Sequence, residues 1–172
     1  MADWRVRAAR VDDVDAMVQL QLATWRSDYA EWLGRDFCDA RFEEHVRERL
    51  HGFVAAHFPF RRTLILERGD EWAGFVAYGA GHGDPGEILS MYVSPQWRGQ
   101  RGGAFLVHQA WEALAVRGLT PVQIAVLEQN LEAQRFYRRL GACEVARGEF
   151  EINGRTFREI VLVLRQAPIS EA

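Results

Sequence analysis

A strand that runs through a short turn and a glycine-rich loop into a helix constrains this chain more than any other stretch. Glu87 to Val93 is rich in strand-favouring residues, and Ser94-Pro95 ends it because proline has no N–H to give to a ladder. Arg98-Gly99-Gln100-Arg101-Gly102-Gly103 then places three glycines and two arginines in six residues. From Gly103 onward Phe105, Leu106, Ala110 and Leu114 recur at helical spacing. A glycine loop feeding a helix N-terminus leaves backbone N–H groups unpaired and aimed at one point. The helix dipole adds partial positive charge there, so an anion, most often a phosphate, fits. An ordinary glycine turn before a core helix would carry the same residues, and the loop alone leaves both open.

Pattern narrows the choice. Gly-x-x-x-x-Gly-Lys-Ser/Thr is absent, and the chain contains no lysine, which excludes a P-loop NTPase. Gly-x-Gly-x-x-Gly is absent too, which removes the usual dinucleotide fingerprint. A second segment follows at Pro121 to Leu127, a compact apolar run read as a strand. Behind it comes Asn130-Leu-Glu-Ala133-Gln-Arg-Phe136-Tyr137-Arg-Arg-Leu140-Gly141-Ala142. In this order the two segments resemble the GNAT superfamily of N-acetyltransferases. That family's pyrophosphate loop reads Gln/Arg-x-x-Gly-x-Gly/Ala after a strand ending Tyr-Val-x-Pro, matched here by Tyr92-Val93-Ser94-Pro95, Arg98 and Gly103. Its later segment reads Asn-x-x-Ala-x-x-Phe-Tyr-x-x-Leu-Gly-Phe. The chain departs from the pattern twice, with Arg101 at the first loop glycine and Ala142 at the final phenylalanine. The matching stretch covers roughly residues 87–142.

At 172 residues the length suits one domain with a substantial core, and the expected extent is 1–172 with a mobile tail over 166–172. Hydrophobic residues at 48% and charged residues at 26% are ordinary for a globular chain. A formal net charge of −3 argues against a general grip on nucleic acid. No apolar run reaches membrane-spanning length and no signal-peptide pattern opens the chain, so no membrane partner is expected. Two cysteines, Cys38 and Cys143, are too few for a disulfide framework, and a reducing cytoplasm is the default. His45, His51 and His57 recur every six residues, off any single helix face. With no His-x-x-x-His or Cys-x-x-Cys, no metal site is expected. Ser90 sits in no Gly-x-Ser-x-Gly elbow, so a serine hydrolase has no support.

Along the chain, Trp4 to Ala9 alternates as a half-exposed strand, and Asp12 or Asp13 is placed to cap the helix behind it. Asp28 to Gly34 breaks that helix, a second runs from about Phe37 through Leu50, and Phe53 to Pro59 is looser. Arg62–Glu67 and Trp72–Tyr78 flank Gly69-Asp70 as a hairpin, followed by a loop over Gly79 to Gly86. Ala142–Ile152 and Arg155–Leu164 flank Asn153-Gly154, the sharpest hairpin signal in the chain. The order β-α-α-β-β-β-α-β-α-β-β is that of the acetyltransferase fold: an α/β architecture with a mixed, mostly antiparallel central sheet flanked by helices.

The resemblance implies direct acetyl transfer from acetyl-CoA to a primary amine of a small molecule or peptide, in a ternary complex. It places the pantetheine arm against exposed backbone at Met91 and Val93, where the central strand splays from its neighbour. The pyrophosphate falls to Arg98, Gly99, Gln100, Arg101, Gly102, Gly103 and Ala104. Tyr137 matches the tyrosine that protonates the departing thiolate, and Asn130, seven residues earlier, shares its helix face. Glu87 corresponds to a carboxylate acting as base directly or through water; a strand-end glutamate is as often merely solvated. Trp25 and Tyr29 fall where the acceptor site forms, and core packing explains Trp25 equally well. A non-catalytic acyl-CoA sensor on the same fold, another acyl donor, and a homodimer stay open.

Overall fold

The computed structural model describes residues 3–34, 36–55, 61–80 and 85–169. Seven strands form one sheet: β1 (Trp4–Ala8), β2 (Arg61–Arg68), β3 (Glu71–Ala80), β4 (Gly86–Val93), β5 (Val122–Leu127), β6 (Cys143–Ile152) and β7 (Arg155–Leu164). Their spatial order is β1-β2-β3-β4-β5-β7-β6. Among these strands only β4 and β5 pair in parallel, because a helix crossover joins them while tight turns join the hairpins. α1 (Val14–Asp28), the four-residue α2 (Ala30–Leu33) and α3 (Ala40–Ala55) precede β2. α4 (Gly102–Ala115) links β4 to β5, and α5 (Leu131–Arg139) links β5 to β6.

Each sheet face has its own core. One joins the strands to α4 and α5 through Leu66, Val76, Leu106, Leu114, Leu162 and Leu140. The other joins them to α1 and α3 through Met17, Leu22, Phe42, Leu50, Ile65 and Phe75, and contains most of the aromatic rings. On α3, Phe42, Val46, Leu50 and Phe53 are buried at helical spacing, the stripe that fixes this helix on the sheet. The β6–β7 turn matches its sequence signal, with Asn153 at φ 50° and Gly154 at φ 73°. Asn153 Nδ2 also donates to the Phe37 carbonyl at 3.2 Å, tying the hairpin to the helical layer.

Several local expectations shift. Neither Asp12 nor Asp13 caps α1 through its side chain. Asp13 instead accepts the Arg10 N–H at 2.7 Å and two bonds from Arg7 at 2.8 Å each, which hold its carboxyl below the usual range. The second helix starts at Ala40, where Asp39 Oδ1 accepts the Phe42 N–H at 2.8 Å, and it runs on to Ala55. Phe53 therefore packs from a helix, whereas 56–60 lie outside the described residues, as do 81–84 of the expected Gly79–Gly86 loop. Gly79 and Ala80 belong to β3. In the C-terminal segment the Ile169 N–H donates to the Leu140 carbonyl at 3.1 Å; 170–172 are not described.

Candidate functional site

The parallel pair is short. β4 meets β5 only at Gly86, Glu87 and Ile88, opposite Val122, Gln123 and Ile124. On the β3 side Ala77 pairs with Ser90 and Tyr78 with Ile88, so Leu89 is an extra residue that bends β4. Beyond it the two strands separate, and among the described residues the β4 edge from Leu89 to Val93 has no ladder partner on that side. Two clefts open at this splay, one of about 520 Å³ and one of about 280 Å³. Tyr29, Met91, Tyr92, Asn130, Ala133 and Tyr137 line both.

The larger cleft is closed at one end by the glycine loop. None of the N–H groups from Gly99 to Ala104 has a backbone acceptor among the described residues, although the 14-residue α4 begins there. A row of unpaired donors at a helix start fits a pyrophosphate. Arg101, standing where the family pattern has glycine, adopts the left-handed conformation such a glycine would take, φ 68° and ψ 1°. The loop geometry therefore survives the departure, at a cost of roughly 1 kcal/mol for a residue with a Cβ. Gly102 is needed for close approach: a Cβ there would lie 2.9 Å from Leu66 Cδ2 and 3.1 Å from Trp4. Trp4 Nε1 donates to the Gln100 carbonyl at 2.9 Å, so β1 holds the loop from behind.

Not every predicted loop residue turns inward. Met91, Val93, Arg98, Gly99, Arg101, Gly103, Ala104, Asn130 and Tyr137 line the larger cleft, whereas Gln100 and Gly102 do not. Gln100 spends its side chain on the Gln96 carbonyl and on Arg68, and Gly102 packs onto β2. Arg98 is already engaged, donating to Asp28 at 2.9 Å and to the Val93 carbonyl at 3.2 Å. Asn130 is not inside a helix with Tyr137 but caps it: Asn130 Oδ1 accepts the Ala133 N–H at 3.0 Å.

Tyr137 is 6% exposed, and burial pushes its phenol well above the usual value, with Tyr92 nearby adding to the shift. Tyr29 and Tyr92 are raised by burial as well, so three neutral phenols gather at the splay. Trp25 is buried in the aromatic core and also reaches a cleft wall. It lies among Phe37, Phe42 and Tyr29, and its Nε1 donates to the Tyr92 hydroxyl at 2.8 Å in the wall of the smaller cleft. Glu87 stands at the start of β4, before the splay, and is not among the residues lining either cleft.

Two ionisable residues of the smaller cleft escaped the sequence reading, Glu159 of β7 and Arg49 of α3. Burial raises the Glu159 carboxyl above its ordinary value. A signal for Arg49 existed: it lies three residues after Val46 and four before Phe53, on the stripe where the spacing calls for an apolar side chain. Glu159 lay two residues after the buried Phe157, on the same strand face.

Residues 17–142 match the model of the acetyltransferase (GNAT) family. The chain belongs to the GNAT family. Among curated relatives of this GNAT protein, the uncharacterized N-acetyltransferase YuaI of Bacillus subtilis (strain 168) is 26% identical over 166 residues, covering 91% of this chain and 90% of YuaI. The thialysine N-epsilon-acetyltransferase of Mus musculus is 32% identical over 77 residues, covering 42% of this chain and 45% of the relative. The GNAT fold itself superposes on the PaiA N-acetyltransferase of Thermoplasma acidophilum, solved in complex with coenzyme A, with a TM-score of 0.75 at 17% identity, over 92% of this chain and 98% of that one. No described helix of this GNAT domain is long and apolar enough to cross a membrane.

Proposed function

We propose that this protein moves an acetyl group from acetyl-CoA to a primary amine by direct transfer, with both substrates bound at once. One observation carries the proposal: Tyr137 lines both clefts, so a thiol leaving one and an amine arriving in the other face the same phenol. The relatives named N-acetyltransferases and the neighbour crystallised with coenzyme A support the choice of donor.

The unpaired N–H groups of the loop residues that face the cleft, Gly99, Arg101, Gly103 and Ala104, hold the pyrophosphate, with Arg101 adding charge at the loop. The open β4 edge around Met91 and Val93 takes the pantetheine arm as an added strand. Acetyl-CoA supplies an activated carbonyl and a thiolate leaving group. As the C–N bond forms and the C–S bond breaks, one proton must leave the amine and one must reach sulfur. Tyr137 is placed to give the second. A thiol holds its proton less tightly than a phenol, about 8.5 against about 10, and burial of Tyr137 widens the gap. Full transfer is therefore uphill, and Tyr137 acts chiefly as a hydrogen-bond donor to the developing thiolate, recovering any lost proton from solvent.

For the amine proton, Glu159 stands in the wall of the acceptor cleft, a partly buried carboxyl whose pKa burial raises toward that of a useful base. Glu87 would serve only through water along β4. The experiment is release of free thiol from acetyl-CoA across amines and short peptides, in the wild type and in Tyr137→Phe. Acceptor-dependent release that falls in the variant supports the proposal. Tight acetyl-CoA binding without release for any acceptor would favour a sensing module instead.

A further inference from the structure

Among the described residues no carboxylate neutralises the charge of Arg49. It projects from the buried stripe of α3 into the wall of the smaller cleft. Among the described residues its buried Nε has no acceptor, and its one hydrogen bond runs from Nη2 to Gln21 Oε1 at 3.2 Å. No described carboxylate pairs with it. The groups around it are Gln21 of α1, the Phe53 ring 5.5 Å from its guanidinium carbon, and the phenol of Tyr92. Burial accordingly pulls its pKa down. A second buried donor in the same wall, the Ser90 hydroxyl, also lacks a partner. Glu159, which lines the same cleft, also makes no ion pair among the described residues, so neither charge of the cleft has a described counter-charge.

A partly buried guanidinium whose Nε has no described acceptor is short of the hydrogen bonds that a carboxylate ligand would supply. We infer that the acceptor is a small amine bearing its own carboxylate, of amino-acid size, whose carboxylate is gripped by Arg49 while its amine is presented toward Tyr137 and Glu159. This rests on the acetyl-transfer reading and names its substrate class. A planar carboxylate matches the guanidinium fork. A phosphate dianion would meet Glu159 unfavourably, and a polyamine or a protein amino group would leave Arg49 unpaired. A volume of about 280 Å³ also suits a small molecule.

The test is steady-state thiol release with a series of free amino acids, including glycine, β-alanine and lysine, each against its carboxamide and its decarboxylated amine. The expected result is a kcat/KM about 10²-fold higher for the carboxylate-bearing member of at least one matched set. In Arg49→Met that preference should shrink to a few-fold, mainly through a higher KM, with acetyl-CoA affinity unchanged. Arg49→Lys should recover part of it. The wild-type comparison decides the matter even if Arg49→Met folds poorly. Equal or better use of amides or diamines, or turnover of nothing in the panel despite acetyl-CoA binding, overturns the inference and leaves the donor assignment intact. Failure to bind acetyl-CoA in calorimetry would instead bring down the acetyl-transfer reading, and this inference with it.

Discussion

Asn130 Nδ2 donates to the Tyr29 hydroxyl at 2.7 Å, joining the start of α5 to the end of α1 across 101 positions of sequence. The same side chain caps α5 through Oδ1. One residue thus fixes the helix that carries Tyr137 and fastens it to the helical layer bordering both clefts. Asn130→Ala should lose the cap and the tie together, about 1–2 kcal/mol of stability by urea denaturation. Asn130→Asp keeps the cap but cannot donate to Tyr29, and it should recover only the part of the stability that the cap supplies.

Tyr137→Phe keeps the ring that packs edge-on against Phe136, centroids 5.0 Å apart, and removes only the hydroxyl. Turnover should fall about 10²-fold, the range typical of losing a positioned proton donor. The dissociation constant for acetyl-CoA, measured by calorimetry, should move less than threefold. An unchanged kcat would exclude the phenol from the chemistry.

Glu159 carries a pH signature. Its folded pKa is raised by burial, so the folded state holds this proton more tightly than the unfolded chain does. Its contribution to stability is therefore fully present below the unfolded value near 4.5 and is lost as pH rises through the folded one. Glu159→Gln should raise the melting temperature at pH 7, with the difference closing below about pH 4. In kinetics it should depress kcat and remove the acidic limb of the rate profile. Glu87→Gln should do neither if Glu159 is the base; the reverse pattern would transfer the role to Glu87.

The glycine loop separates strain from contact. Arg101→Gly relieves the left-handed cost of roughly 1 kcal/mol but gives the unfolded chain more freedom. The net gain should be about 0.5 kcal/mol, with weaker coenzyme A binding at low salt because a charge is lost. Gly102→Ala puts a methyl 2.9 Å from Leu66 Cδ2 and should destabilise by about 1–3 kcal/mol. Thermal melts and coenzyme A titrations of both variants check the two claims.

The sequence by itself settled whatever depends on neighbours along the chain. The strand–loop–helix unit at 87–104 and the Asn153-Gly154 hairpin rest on local rules of turn chemistry and periodicity, and each is found in the structure. The family resemblance rested on the same contiguous residues, and the match over 17–142 agrees with it. The resemblance implied a splay near Met91 and Val93, but the sheet order and the position of the bulge at Leu89 were decided by packing, since strands pair across long separations that no local pattern encodes. So were the side-chain destinations. Gln100 reads as a phosphate ligand until Gln96 and Arg68 claim it. Arg49 and Glu159 look like ordinary surface charges, 110 positions apart, until the fold brings both to one cleft with no described ion-pair partner for either. Charge burial is a property of the assembled tertiary structure, because desolvation depends on everything packed around a group and not on the residues beside it in sequence.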